Sequence, residues 1–207
     1  QIDLTAGFDL LFSVKFGCDN IGGEGVGFVL TNGTSQSPGQ SYDMGFGNMG
    51  NSIAIEFDTR NNDNTTGSGP VDNDDPVYDH VDVMFNGNID HYVGQALYSG
   101  PAGPGNVPVL GSGNVEDCEY HDVRIVYDVS PSTPELSVYF DNVDVGTSTP
   151  VFTLPIDLTT YIPNMVNWGW TGATGNQPGN LNHQVVKLAL HPSFTATSSV
   201  CPGTPVT

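Results

Sequence analysis

The sequence predicts an all-β chain folded as two antiparallel sheets in a sandwich. Three observations carry this. Apolar residues alternate with polar ones in run after run, the two-residue period of half-buried strands. The runs are punctuated by turn formers, among them 26 glycines and 15 prolines, which end strands and set tight reversals. No stretch sustains the 3.6-residue apolar period of an amphipathic helix. At 207 residues, the chain is the size of one large β domain rather than two.

The strands follow in order. Phe8, Leu10, Phe12, Val14 and Phe16 alternate with Asp9, Ser13 and Lys15, and Val26, Phe28 and Leu30 form a second run. Ile53, Ile55 and Phe57 make a third, and Val81, Val83 and Phe85 a fourth, with an acidic loop between them. Val123, Ile125 and Tyr127 pair in expectation with Leu136, Val138 and Phe140 as a hairpin across Ser130-Pro131-Ser132-Thr133-Pro134. The last runs are Met165 to Thr171 and Gln184 to Leu190. Residues 1–191 read as one domain without internal repeat, and 192–207 as a linker or C-terminal extension.

Charge narrows the function. The formal net charge is −19, with only Lys15, Arg60, Arg124 and Lys187 basic. Nucleic acid needs a basic footprint, and an anionic membrane surface repels such a chain. The acidity serves solubility, cation loading or both. No apolar run is long enough to span a membrane, so no membrane insertion is expected.

Of the three cysteines, Cys18 follows the first strand and Cys118 precedes the strand beginning near Tyr120. The two form a disulfide or stand as small buried residues. A disulfide suits an oxidising, secretory compartment. Cys201 lies in the linker, where its partner is expected outside the chain. Gln1 in place of Met fits a chain processed or excised from a longer one.

The stretch from Ser52 to Val83 carries the chemistry. Glu56 and Asp58 share the strand face opposite Ile53, Ile55 and Phe57. Adjacent carboxylates repel unless a cation or proton lies between them. Asn62, Asp75 and His80 follow at loop positions that can fold back over the pair. Oxygen ligands in this number suit calcium, and one imidazole admits a transition metal.

This stretch, Glu56-x-Asp58-Thr59-x-x-Asn62 and then Asp75-Pro76-x-x-x-His80, resembles the metal-loop signature of the legume-type (L-type) lectins. Gly23-Glu24-Gly25-Val26-Gly27-Phe28-Val29-Leu30 is similar to the early sugar-binding loop and strand of that family. Val123–Asp128 with Leu136–Phe140 looks like its paired late strands, and Trp168-Gly169-Trp170-Thr171-Gly172 through His183 like its final binding loop. The motifs stand in family order over residues 8–190. The resemblance implies a jelly-roll sandwich, calcium on Asp58, Asn62 and Asp75 with the carbonyl of Arg60, and a second divalent ion such as manganese on Glu56, Asp58, Asp75 and His80. Asp63, Asp72 and Asp74 lie in the longer loop and can substitute for Asp75.

It also implies a sugar site. Asn62 matches the calcium-bound asparagine of the family. Glu24 stands where the family has an aspartate, so restoring Asp there is expected to strengthen binding. Tyr42 and Gly45 fall in the segment that supplies a backbone donor, and Gly175, Asn176, Asn180 and Asn182 in the final loop. Tyr42, Trp168 or Trp170 is available to stack under a sugar, although strand tryptophans are more often core. Family members also carry a further strand before the equivalent of Phe8. Here a removed segment or a neighbouring subunit is expected to supply it.

Similar sandwiches host glycoside hydrolases, which need two carboxylates across a cleft. Their related pattern adds a third carboxylate on the strand, where this chain has Arg60, Asn61 and Asn62. No nucleophile elbow or phosphate loop is present. An enzyme is therefore not expected. Two readings remain: a calcium-dependent glycan-binding module of a secreted or cell-surface protein, and an adhesive module whose calcium-stiffened loops bind no sugar. Expected partners are a glycoconjugate and other domains or subunits of a larger assembly.

Overall fold

The computed structural model describes residues 1–20, 23–33, 43–62, 75–89, 91, 107–144 and 146–173, together with the backbone of 185–188. The expectations placed on Tyr42, Asp63, Asp72, Asp74, Gly175, Asn176, Asn180, Asn182, His183, Cys201 and the extension 192–207 lie outside the described residues.

Among the described residues, ten strands form two five-stranded antiparallel sheets. The front sheet runs β1 (Ile2–Asp3), β9 (Met165–Ala173), β3 (Gly25–Thr31), β4 (Ser52–Asp58), β5 (His80–Phe85). The back sheet runs β10 (Val185–Leu188), β2 (Phe8–Lys15), β6 (His121–Asp128), β7 (Glu135–Phe140), β8 (Phe152–Pro155). Among the described residues the only helices are two 3-10 turns, Leu4–Ala6 and Leu158–Thr160. None is long and apolar enough to cross a membrane.

The alternation read from the sequence is what separates the layers. Phe8, Leu10, Phe12 and Val14 of β2 enter the core, as do Val26, Phe28 and Leu30 of β3 and Ile53, Ile55 and Phe57 of β4. The β6–β7 hairpin forms with Val123 opposite Phe140 and Ile125 opposite Val138. Trp168 and Trp170 belong to this inner layer. Trp170 meets Phe12 edge-on at 5.0 Å between ring centroids and Phe28 at 5.6 Å. Aromatic pairs at this spacing add to burial. The tryptophans are thus core packing and not a sugar platform, because Val166, Trp168 and Trp170, the even-numbered positions of β9, face the back sheet.

β1 answers the edge-strand expectation in part. Ile2 pairs with Val166 and Asp3 with Met165, so two residues ahead of Phe8 add a strand to β9. The Cys18–Cys118 disulfide is formed, with the two Cα atoms 4.4 Å apart. It fastens the end of β2 to the segment leading into β6, and the Cys118 amide donates to the Gly17 carbonyl at 2.9 Å.

Strands β3, β4 and β5 of the front sheet are buried on both faces, which the sequence alternation does not show. Every residue of β4 is buried. On its outer face, Val29, Ala54 and Met84 lie beneath Met44 and Phe46 of the segment that follows residue 42. That segment approaches so closely that a Cβ on Gly27 would lie 2.9 Å from the Phe46 ring. Gly27 is therefore needed for the cover to sit down.

Candidate functional site

The outer face of the front sheet carries two polar rungs beside the apolar one. Gly25, Asp58 and His80 stand in register on β3, β4 and β5, and Gly27, Glu56 and Asp82 form the next rung. Two-residue periodicity places these side chains opposite Ile55 and Phe57, as expected. Glu56, Asp58, His80 and Asp82 are each at most 1% exposed. Burial without compensation is costly for charged carboxylates.

The loop after β4 folds over this face. The Arg60 amide donates to Asp58 Oδ1 at 2.6 Å, and the Asn62 amide donates to Asp75 Oδ2. Asn61 Nδ2 donates to the carbonyls of Asp75 and Pro76 at 2.7 and 3.1 Å. These bonds bring Asp75 back beside Asp58 across the acidic loop. Asn61 was not singled out by the sequence, yet it closes the loop by its side chain.

Two overlapping donor groups result. Asp58, Asp75 and His80 converge, and so do Glu56, His80 and His91, with the ligand atoms of each group within 4.8 Å of one another. Burial first, then the Asp75 and Glu56 carboxylates, push the Asp58 pKa well above the ordinary range, against the pull of the Arg60 amide and His91. Burial, then His91, lowers the His80 pKa to about 3, so its imidazole is neutral. The His80 Nδ1–H donates to the Tyr78 carbonyl at 3.0 Å, which leaves Nε2 with its lone pair facing the carboxylates. Buried carboxylates that repel, with a neutral imidazole among them, are a donor set that fits divalent cations.

His91 is the residue that sequence reasoning missed. Its Nε2 lies 2.7 Å from Glu56 Oε1 and 3.0 Å from His80 Nε2. The available signal was Asn86-Gly87, both at positive φ, a reversal that sends the chain back past β5.

Of the expected sugar-site residues, Glu24 and Asn62 are brought together. Asn62 Nδ2 donates to Glu24 Oε2 at 2.8 Å, and Arg60 Nη1 lies 3.6 Å from Glu24 Oε1. The Glu24 backbone is held between its neighbours: its amide donates to the Ala173 carbonyl at 3.1 Å, and its carbonyl accepts from Thr59 at 3.4 Å. Gly25, next to it, has φ +116°, and a Cβ there would lie 2.2 Å from the Phe57 carbonyl oxygen. Only glycine lets Glu24 approach the loop after β4 this way. The Gly45 N–H donates to Asp43 Oδ1 at 3.0 Å, which braces its own turn.

Comparisons with known proteins agree with the fold. The sequence profile of the Legume lectin domain matches residues 4–198. Lectin II from Ulex europaeus superposes with a TM-score of 0.57 at 21% identity, covering 88% of this chain and 69% of that one. The winged bean acidic lectin, solved in complex with methyl-alpha-D-galactose, superposes with a TM-score of 0.58 at 20% identity, covering 88% and 67%. The metal-free form of lectin I-B4 from Griffonia simplicifolia gives 0.56 at 17% identity, covering 87% and 68%. At these identities the structural likeness is one of fold.

Proposed function

Since this chain belongs to the legume lectin domain family, we propose that it is a calcium-dependent carbohydrate-binding module of a secreted or cell-surface protein. The observation that carries the reading is the hydrogen bond from Asn62 to Glu24. It couples the loop that would hold the ion to the loop that would hold the sugar. Calcium would take Asp58, Asn62 and Asp75 with the carbonyl of Arg60. Asn62 spends its amide hydrogen on Glu24, so its Oδ1 is the atom left for the cation. A second divalent ion, such as manganese, would draw on Glu56, Asp58, Asp75 and His80. These ions would neutralise the buried carboxylates and fix the loop. The chain's own polar groups, with the segment from Gly175 to Asn182, would meet the sugar hydroxyls.

The winged bean relative is named with a galactoside and the basic winged bean lectin with Tn-antigen, which supports a neutral glycan as ligand. The Cys18–Cys118 disulfide supports an oxidising location. The carboxylates fit cation ligation rather than acid catalysis, because a metal-bound carboxylate stays ionised. A glycan array read in calcium and in chelator tests the proposal. Binding to a defined set of glycans that disappears in chelator is the expected result.

One observation favours the second reading, an adhesive module without sugar binding. Both Glu24 oxygens are approached from within the protein, by Asn62 and by Arg60. An array that stays blank in calcium, with a thermal shift on adding calcium, would select it.

A further inference from the structure

We propose that His91 is a direct metal ligand, and that Glu56, His80 and His91 form a two-imidazole centre selective for a borderline divalent ion such as zinc. This rests on the reading of a second metal site beside calcium, and changes which residues build it and which ion it takes. The family resemblance supplies one imidazole to that site, from His80. Here a second one faces it.

The geometry is that of donors aimed at a common point. Glu56 comes from β4, His80 from β5, and His91 from the segment beyond the Asn86-Gly87 reversal, three separate elements. Glu56 Oε1 to His91 Nε2 is 2.7 Å, and His91 Nε2 to His80 Nε2 is 3.0 Å. Ligand atoms on a tetrahedral zinc ion, with bonds of about 2.0–2.1 Å, stand about 3.3 Å apart. A few tenths of an ångström of outward movement would open the centre. His91 is 2% exposed and His80 1%, so both rings meet inside the protein and not in solvent.

Hydrogen bonding alone serves this cluster poorly. The His80 proton sits on Nδ1, held by the Tyr78 carbonyl, so Nε2 is an acceptor. His91 Nε2 faces that acceptor and the Glu56 carboxylate at once. A single N–H there cannot point at both. A shared cation uses the lone pairs of both rings and the Glu56 charge together. The Tyr78 contact is also the outer support that ligating histidines carry, fixing the tautomer and ring direction. Asp58 and Asp75 then remain with Asn62 for calcium. Imidazole ligands favour zinc, nickel and copper, whereas carboxylate and water favour manganese and calcium.

The test uses the whole chain, stripped by chelator and returned to calcium, with zinc, cobalt(II) and manganese(II) as probes. One zinc ion should bind per chain, and X-ray absorption at the zinc edge should show two imidazoles. His91→Ala should lower zinc affinity by at least about tenfold, since losing even an outer support of a ligand costs about 10–100-fold, and change manganese affinity by less than threefold. Cobalt should show the visible absorption of a low-coordinate nitrogen site in the wild type and lose it in His91→Ala. The calcium-induced thermal shift should persist in the variant, which shows that it folds. One imidazole or none at the zinc edge overturns the proposal, whether or not the variant folds. So does equal weakening of zinc and manganese, or a calcium-responsive protein that binds no zinc. A protein that binds zinc through two imidazoles and does not respond to calcium keeps this centre and overturns the calcium reading alone.

Discussion

Asn62 donates its side-chain amide to Glu24 Oε2 at 2.8 Å, joining the loop after β4 to the turn before β3. The two residues are 38 positions apart in sequence, and the family resemblance implies sugar contact for both. In the fold they contact each other. Asn62→Ala should therefore lower stability as well as ligand binding. Loss of a hydrogen bond to a charged acceptor is worth about 1.5–3 kcal/mol, measurable by urea unfolding in calcium. Arg60 also approaches Glu24 from a partly exposed position, and Arg60→Ala should cost less than about 1 kcal/mol. The reverse order of cost would mean that the ion pair, not the amide, holds the junction.

Calcium should raise the melting temperature. A ligand that binds only the folded state at a hundred times its dissociation constant adds about 2.7 kcal/mol, and for a domain of this size about 2–4 °C follows per kcal/mol. Asp58→Ala should abolish the response, and chelator should no longer lower the variant's melting temperature. If chelator leaves the wild type unmoved, the calcium assignment fails.

Glu116, which pairs with Asp79 and Thr59, gives a pH signature from a carboxyl that is not itself one of the proposed metal ligands. Burial, and then the Asp79 carboxylate beside it, push its pKa up to about 8, against an ordinary value of 4.5. The folded state therefore holds a proton that the unfolded chain releases above about pH 4.5. Its ionisation costs stability progressively as pH rises from about 4.5 to 8, and the cost is full above 8. Glu116→Gln removes this slope. The unfolding free energy of the variant minus that of the wild type should be smallest near pH 4.5 and rise to a plateau above pH 8, reaching on the order of 1–3 kcal/mol. A difference that does not vary with pH would show that Glu116 is ionised throughout.

The disulfide closes a span of 100 residues between β2 and the entry to β6. Removing it by Cys18→Ala with Cys118→Ala should cost about 2–5 kcal/mol. Strand register in the back sheet does not depend on it, because Phe12 opposite Val123 and Leu10 opposite Ile125 already define the pairing. Circular dichroism of the double variant below its lowered melting point should match the wild type. Loss of the β signal there would mean that the cross-link is needed for the fold itself.

The layers of the fold were legible because period-two alternation is local: Ile53, Ile55 and Phe57 must share a face whatever surrounds them. The same rule placed Glu56 and Asp58 together. It could not say that Met44 and Phe46 cover the adjoining rung, since that depends on a packing contact at Gly27. His91 escaped for a related reason. A single histidine after Asn86-Gly87 carries no pattern, and its value comes from the chain reversal that sets it 3.0 Å from His80. Trp168 and Trp170 were ambiguous because aromatic residues serve both cores and sugar platforms. Their inward register on β9 decides for the core.

The resemblance alone leads one to expect that Glu24→Asp would improve sugar binding by restoring the family's side-chain length. The contact to Asn62 argues for the opposite. Glu24 Oε2 reaches Asn62 Nδ2 at 2.8 Å from a backbone fixed by Ala173 and Thr59. Removing one methylene withdraws the carboxylate by about the length of a C–C bond, roughly 1.5 Å, which is past hydrogen-bond distance. Asn62 would then lose the partner that orients it toward both ion and sugar. A shallow single site is expected to bind a neutral glycan with a dissociation constant near 1 mM, about −4 kcal/mol, and multivalent display would raise the avidity. On a glycan array in calcium, Glu24→Asp should reduce the signal about as far as Asn62→Ala, while Glu24→Gln, which keeps the length and one acceptor oxygen, should retain part of it. A stronger signal from Glu24→Asp than from wild type would show that side-chain reach toward the sugar, and not the hold on Asn62, is the function of residue 24.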